Sequence, residues 1–358
     1  MNFVKKFNQS ESDRFTQRPS AQQKAFFRQN YKGMIVSSPY FDSRLSFYPD
    51  AWVYRSLYGV FPGSATVRKH PSWFLRTARR GTKAYIPFDC SGGTCPQLAG
   101  DITNPRFRKA WIREARTQVR RGYKSVFIDE VNMIRRVGTG TGRELAPYSP
   151  YLRRKITVRR WRTAVASFTR QIRRSLPRRV RIVHNVIWFA PGKKDRLTRM
   201  QMRAATVVAL ERGVNDAGLT GGRGPFGVST FLNYVSFIHR LKRPVIFIED
   251  APNADARNYG LAGYLLINNG RDFLSSDPFG EPDKFWPGYR TGLGKAKGGR
   301  YRWRGLIRRN FERGIVLLNE PQAPSRTVAL GGNYRQVGTS TQQSSITLGA
   351  STGAVLVR

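Results

Sequence analysis

Short apolar runs recur along the chain, and each one ends in polar or acidic residues. Eight of them have the length of strands: Gly33–Ser38, Ala51–Ser56, Ala84–Asp89, Ser125–Asp129, Arg181–Asn185, Thr206–Glu211, Pro244–Asp250 and Gly263–Asn268. Between several of these runs, apolar residues recur at every fourth position, which is the spacing of one helix face. After the N-cap candidate Asn104, for example, Phe107, Trp111 and Ala115 share one face. This alternation predicts a parallel sheet covered by helices.

Eight strand–helix units fit a (β/α)8 barrel, which typically takes ~250 residues. We therefore predict an α/β fold, a (β/α)8 TIM barrel over residues 31–310, preceded by an N-terminal arm at residues 1–30. A doubly wound parallel sheet is the alternative, although the glycine-rich stretch Gly138–Glu144 does not join a strand to a helix as a phosphate-binding loop would. Short alternating segments broken by Gly, Ser and Pro predict a small C-terminal antiparallel β module, β-sandwich-like, over residues 311–358.

Acidic residues concentrate at the ends of the predicted strands. The chain has only 22 Asp and Glu, yet strands end on Asp89, Asp129, Glu130, Glu211, Glu249 and Asp250. Catalytic groups of a barrel gather at these carboxyl ends, and a pair of carboxylates is what glycoside hydrolysis requires. Besides a catalytic pair, the residues predicted to bind substrate are Asp89, Glu130, Asn132, Asn185, Asn215, Asp216, Glu249 and Asp250, with the aromatic side chains of Tyr40, Tyr54 and Trp188. For any single acid, the alternative is a helix cap or an arginine partner.

The chain is strongly basic. Lys and Arg total 63, and the net charge is +41 among 358 residues. Such a surface attracts polyanions, so an acidic glycan or a nucleic acid is an expected partner, and a merely solvated surface is the alternative. Three basic runs stand out, at Arg153–Arg162, Arg173–Arg181 and Lys295–Arg309. The third interleaves Tyr301 and Trp303 with cations, a pattern that suits stacking on bases or sugars.

Other chemistries lack the residues that they need. Cys90 and Cys95 flank a glycine-containing loop and favour a disulfide over a pair of reduced thiols, which suits an oxidising compartment. The three histidines form no HExxH motif and no nucleophile elbow is present, so we expect no metal and no cofactor. His184, within a predicted strand, is expected to be a core residue.

There is no apolar run long enough for a transmembrane helix, and no signal peptide is visible. An extracellular, cell-surface or particle-associated location is the expectation.

Four stretches carry a resemblance to a known family. They are "YIPFDCSGGTCPQLAGDITNPRFRKAWI", "GYKSVFIDEVNM", "VHNVIWF" and "ALERGVNDAGLTGG". Together, across about residues 33–270, they resemble the bacterial TIM-barrel glycoside hydrolases called hypothetical glycosyl hydrolase family 15. The tail resembles the β-sandwich that follows many glycosidase barrels. More distantly, the chain is similar to α-galactosidase and polygalactosaminidase barrels, in which a strand-4 Asp is the nucleophile and a strand-6 acid is the acid/base.

The resemblance implies a retaining glycoside hydrolase that cleaves a polysaccharide, neutral or anionic. On this chain it makes Asp129 the nucleophile and Glu211 the acid/base, with Glu130 standing where the family has a second Asp. The rival hypothesis is a non-catalytic, strongly basic barrel that binds an anionic polymer, polysaccharide or nucleic acid, as a structural or particle-associated protein.

Overall fold

Eight parallel strands close into a barrel in a computed structural model of the protein. The structure describes residues 1–6, 17–48, 50–188, 195–249, 251–276 and 285–358. Around the barrel the strands are β1 (Asn2–Lys6), β12 (Phe273–Ser276), β11 (Val245–Glu249), β10 (Val207–Glu211), β9 (Arg181–Asn185), β6 (Ser125–Asp129), β3 (Ala51–Ser56) and β2 (Gly33–Val36). The predicted (β/α)8 barrel is confirmed, and the doubly wound sheet is wrong.

Two of the eight predicted strands are wrong. Ala84–Asp89 forms only isolated bridges, from Tyr85 to Leu98 and Gly138, and Gly263–Asn268 belongs to the end of a helix. The helix residues are buried on nearly all sides. The periodicity of a short apolar run cannot distinguish a buried strand from a buried helix. Their places in the barrel are taken by β1 and β12. The first part of the predicted N-terminal arm therefore contributes a barrel strand.

The helices follow the strands and carry ordinary capping side chains. Asn104 caps α3 by accepting the N–H of Arg106, as its sequence context predicts. The described helices are α1 (Ala21–Asn30), α2 (Ala65–Lys69), α3 (Pro105–Arg120), α4 (Val158–Ser175), α5 (Arg196–Ala204), α6 (Val228–Arg240) and α7 (Ala254–Ile267). Short 3-10 turns occur at Asp42–Arg44, Pro71–Trp73, Gly213–Asn215 and Pro287–Arg290.

One compact unit comprises residues 37–208. Its strands β3 and β6 pair in register from Trp52 with Ser125 to Ser56 with Asp129. Arg55 of β3 contacts Glu114 and Trp111 of α3, so this side of the strand faces the helix layer and Tyr54 points to the opposite side. The long connections after β3 and β6 carry two small ladders, β4 (Gly59–Val60) with β5 (Leu98–Ala99), and β7 (Tyr148–Ser149) with β8 (Arg154–Lys155).

The other unit combines residues 1–36 with residues 209–358 and ends in an antiparallel sheet. The sheet has six strands in the order β13 (Tyr301–Trp303), β14 (Leu306–Phe311), β15 (Gly314–Leu318), β18 (Gly353–Val357), β16 (Arg326–Gln336) and β17 (Gln342–Leu348). The predicted C-terminal antiparallel module is confirmed, and its sheet begins at Tyr301. Gly353 lets β18 approach α7 closely, because a Cβ there would lie 2.7 Å from the Cβ of Ala262.

Candidate active site

Asp129 ends β6, the fourth barrel strand along the chain, and its carboxylate accepts three hydrogen bonds. The Tyr54 hydroxyl donates to Oδ2 at 2.6 Å, and Asn185 Nδ2 donates to Oδ1 at 2.8 Å. The backbone N–H of Glu130 also donates to Oδ1, at 2.7 Å. The side chain is half-buried. Three strands, β3, β6 and β9, thus orient one carboxylate.

Glu130 lies beside Asp129 in a left-handed conformation, with φ of 57°. Its Oε2 accepts from Asn132 Nδ2 at 2.9 Å and from the Tyr58 hydroxyl at 3.2 Å. Burial raises the pKa of Tyr58 well above its usual value, and the charge of Glu130 adds to that shift, so this hydroxyl is a donor at any ordinary pH. Asn132 is itself fixed, since its Oδ1 accepts the N–H of Ile187 at 2.8 Å.

The structure thus brings together five predicted residues, which we call the Asp129 pocket: Tyr54, Asp129, Glu130, Asn132 and Asn185. Sequence reasoning missed Tyr58, which belongs to this pocket. It follows β3 in a stretch without strand periodicity, so only its aromatic character could have singled it out. Two further predicted residues are aromatic, Tyr40 and Trp188. The Arg44 guanidinium lies 4.2 Å from the ring centroid of Tyr40, and Trp188 is a half-buried residue that follows Ile187.

Asp89 does not end a barrel strand. It is exposed, has φ of 48° and precedes the Cys90–Cys95 disulfide in the loop between β4 and β5. The predicted disulfide is confirmed. Between the two sulfurs, Ser91 and Thr94 exchange backbone hydrogen bonds around a glycine pair, which makes a tight two-residue hairpin.

Glu211 ends β10, the sixth barrel strand, and is exposed. The next residue, Arg212, has φ of 63°, and its backbone N–H donates to the Ile248 carbonyl at 2.6 Å. A 3-10 turn follows at Gly213–Asn215. The predicted residues of this loop shape the backbone. Asn215 Nδ2 donates to the Ala256 carbonyl at 3.0 Å, and Asp216 Oδ1 accepts the N–H of Gly218 at 2.9 Å.

Glu249 is buried, at 1% exposure, and does not open to solvent. Its carboxyl oxygens accept the backbone N–H groups of Val214 at 3.2 Å and Asn215 at 3.3 Å. Burial raises its pKa to about 8, although these N–H bonds lower it. Two glycines make room for the side chain, because a Cβ on Gly213 or Gly260 would lie within 3.0 Å of Glu249 atoms. Asp250, also predicted to bind substrate, lies outside the described residues.

His184 is a core residue, as its sequence context predicts. It is fully buried in β9, its Nδ1 lies 2.9 Å from Gln201 Nε2, and burial lowers its pKa to about 3. Within the described parts of the chain, no group of three His, Cys, Asp or Glu residues could hold a metal ion. None of the described helices is long and apolar enough to cross a membrane.

Comparisons with known proteins support the fold. No family model and no curated protein sequence matches the chain. Among solved structures, the α-glucosyl transfer enzyme XgtA is 10% identical with a TM-score of 0.55, covering 100% of this chain and 99% of that one. The maltogenic α-amylase AmyB from Thermotoga neapolitana is 10% identical with a TM-score of 0.52, covering 99% and 98%.

The glycoside hydrolase domain of PelA from Pseudomonas aeruginosa is 13% identical with a TM-score of 0.46, covering 79% of this chain and 96% of that one. At such identities the likeness concerns the fold. The chain shares the fold of XgtA and AmyB.

Proposed function

We propose that this protein is a retaining glycoside hydrolase that cleaves a polysaccharide, with Asp129 as nucleophile and Glu211 as general acid/base. The observation that carries the proposal is the Asp129 pocket. A half-buried carboxylate at a strand end, oriented by a tyrosine, an amide and a backbone N–H, is the arrangement that an attacking carboxylate needs.

In the proposed first step, Asp129 attacks the anomeric carbon while Glu211 protonates the departing glycosidic oxygen, which leaves a covalent glycosyl–enzyme. In the second step, Glu211 takes a proton from water, which attacks the same carbon and releases Asp129. The Tyr54 hydroxyl and Asn185 amide keep Asp129 aligned through both steps. Retention requires carboxyl groups ~5–5.5 Å apart, whereas inversion needs ~6.5–9.5 Å.

The experiment tests Asp129→Asn and Glu211→Gln on a panel of polysaccharides and aryl glycosides. We expect each substitution to lower kcat by about 1000-fold or more, with unchanged thermal unfolding. Asp255→Asn and Glu144→Gln are matched controls, because both side chains are exposed and lie outside the proposed machinery. Full activity in either catalytic variant would refute the assignment of that residue.

A second candidate function is binding of an anionic polymer, polysaccharide or nucleic acid, as a structural or particle-associated protein. The observation that favours it is the long stretch without acids from residue 145 to residue 194, in whose described part, residues 145–188, eight arginines are exposed. Affinity that falls steeply with salt would support it, and affinity insensitive to salt would refute it. The Cys90–Cys95 disulfide supports an extracellular, cell-surface or particle location for either function.

A further inference from the structure

The β7–β8 ladder forms a short hairpin, residues 148–155, which we call the basic hairpin. Four of its side chains are exposed: Tyr151, Arg153, Arg154 and Lys155. Tyr151 keeps 51% of its surface open to solvent. The hairpin lies in the connection from β6 to α4, the same connection that begins with Glu130.

Buried contacts hold the hairpin from beneath. Tyr148 exchanges two backbone hydrogen bonds with Arg76, at 3.0 and 2.8 Å. The Ser149 hydroxyl donates to Asp101 and accepts the N–H of Leu152 at 3.0 Å. Asp101 is fully buried and also accepts the N–H and the hydroxyl of Thr103. The backbone is therefore fixed, and a ligand that binds there need not order it.

The cations of the hairpin are concentrated without neutralising acids. Arg153, Arg154 and Lys155 are followed by exposed Arg159 and Arg160 at the start of α4, and none of the five has an ion pair within the described residues. Arg162 differs, because it pairs with Asp195 at 2.5 Å. Like charges held this close repel one another. Because the fixed backbone keeps these cations together, an anionic ligand that neutralises them lowers the repulsion and is favoured over the unbound state.

We propose that the basic hairpin binds the acidic groups of an anionic polysaccharide that passes over the Asp129 pocket. The proposal rests on the glycoside hydrolase function and names its substrate class. Connections after barrel strands lie on the face where those strands end, so hairpin and pocket share one face of their unit. Arginine forks fit carboxylate and sulfate groups, and the Tyr151 ring offers a flat apolar surface for a sugar. One aromatic ring among three cations suits a sugar chain better than a run of stacked bases.

The test measures binding of polygalacturonate to the full chain carrying Asp129→Asn, because this substitution prevents the ligand from being cleaved during the measurement. The hairpin variant is Arg153→Gln/Arg154→Gln/Lys155→Gln. The control is Arg170→Gln/Arg174→Gln/Arg178→Gln, which removes the same charge from three exposed positions. Two of these lie in the C-terminal part of α4 and the third lies just after the helix. We expect the hairpin variant to bind about tenfold or more weakly, with a salt slope lower by roughly 2, and the control to change affinity less than about threefold.

Duplex DNA and neutral dextran are measured in parallel. Equal losses in both triple variants would overturn the proposal in favour of overall charge. Loss of DNA binding with polygalacturonate binding intact would assign the hairpin to nucleic acid instead. Hydrolysis is measured separately in the protein with Asp129 intact. Selective loss of polygalacturonate binding in the hairpin variant, with no hydrolysis of any glycan tested by the protein with Asp129 intact, would keep the hairpin as a binding site and refute the hydrolase.

Discussion

The ends of β6 and β11 look alike in sequence and differ in structure. Each places an acidic residue directly after a buried apolar run, Val126–Ile128 before Asp129 and Val245–Ile248 before Glu249. Asp129 is half-buried and is oriented by the side chains of Tyr54 and Asn185. Glu249 is buried, and its partners are the backbone N–H groups of Val214 and Asn215. One carboxylate is available to a ligand, whereas the other holds a turn.

The difference comes from the side of the strand on which each acid lies. Phe247, two residues before Glu249, packs on Phe231 of α6, so that side of β11 faces the helix layer. Phe127, two residues before Asp129, stacks on Tyr54, which lies on the side of β3 away from α3. Strand side chains alternate with a period of two, so a shift of one residue moves an acid from one side of the strand to the other. On the helix-facing side the acid is buried, as Glu249 is, and on the opposite side it is half-buried, as Asp129 is.

The largest effect that separates the two strand ends should come from Gly213→Ala. A Cβ at Gly213 would lie 2.0 Å from Glu249 Oε1, at a backbone φ of 47°. Because the buried carboxyl and its turn must both move, we expect the free energy of unfolding to fall by about 3 kcal/mol or more. Urea denaturation measures it. Gly92→Ala is the control, since φ there is 55° and a Cβ meets nothing within 4 Å, so about 1 kcal/mol is expected. Equal losses would show that Glu249 tolerates displacement.

The sequence predicts the barrel and the acids at its strand ends better than it predicts which acids are buried and stabilise the backbone. Parallel strands buried on both faces read as apolar runs, which is why β3, β6, β9, β10 and β11 are evident. Strand β1 contains a buried lysine, Lys5, and does not read this way. The buried role of Glu249 depends on a contact distant in sequence, with the turn after β10, and no local pattern encodes it.

A smaller effect concerns the pH dependence of stability, which should involve Glu249. Its folded pKa of about 8 lies above the ordinary glutamate value of 4.5, so the folded state retains a proton that the unfolded chain releases. The stabilisation is complete below the unfolded pKa and is lost as pH rises toward 8, by up to about 1.4 kcal/mol per pH unit. Thermal unfolding from pH 5 to 9 measures it. Glu249→Gln should flatten this slope, and an unchanged slope in the variant would assign the titration to another group.

The smallest effects should come from two tyrosines of the Asp129 pocket. Tyr54→Phe removes a 2.6 Å hydrogen bond to Asp129, and Tyr58→Phe removes one of 3.2 Å to Glu130. A hydrogen bond to a charged group contributes about 1.5–3 kcal/mol, so Tyr54→Phe should lower kcat/KM by about 10- to 100-fold. Its ring still stacks on Phe127, with centroids 6.1 Å apart, so the melting temperature should change little.

Tyr58→Phe should have the opposite profile. Glu130 keeps the Asn132 amide as a donor at 2.9 Å, so kcat/KM should fall less than about threefold. The Tyr58 hydroxyl is buried and also lies 3.1 Å from the Arg136 carbonyl, so its loss should cost about 1 kcal/mol of stability. Kinetics and thermal unfolding of the two variants side by side measure both profiles. A larger kinetic loss for Tyr58→Phe than for Tyr54→Phe would make Glu130, rather than Asp129, the reactive carboxylate of the pocket.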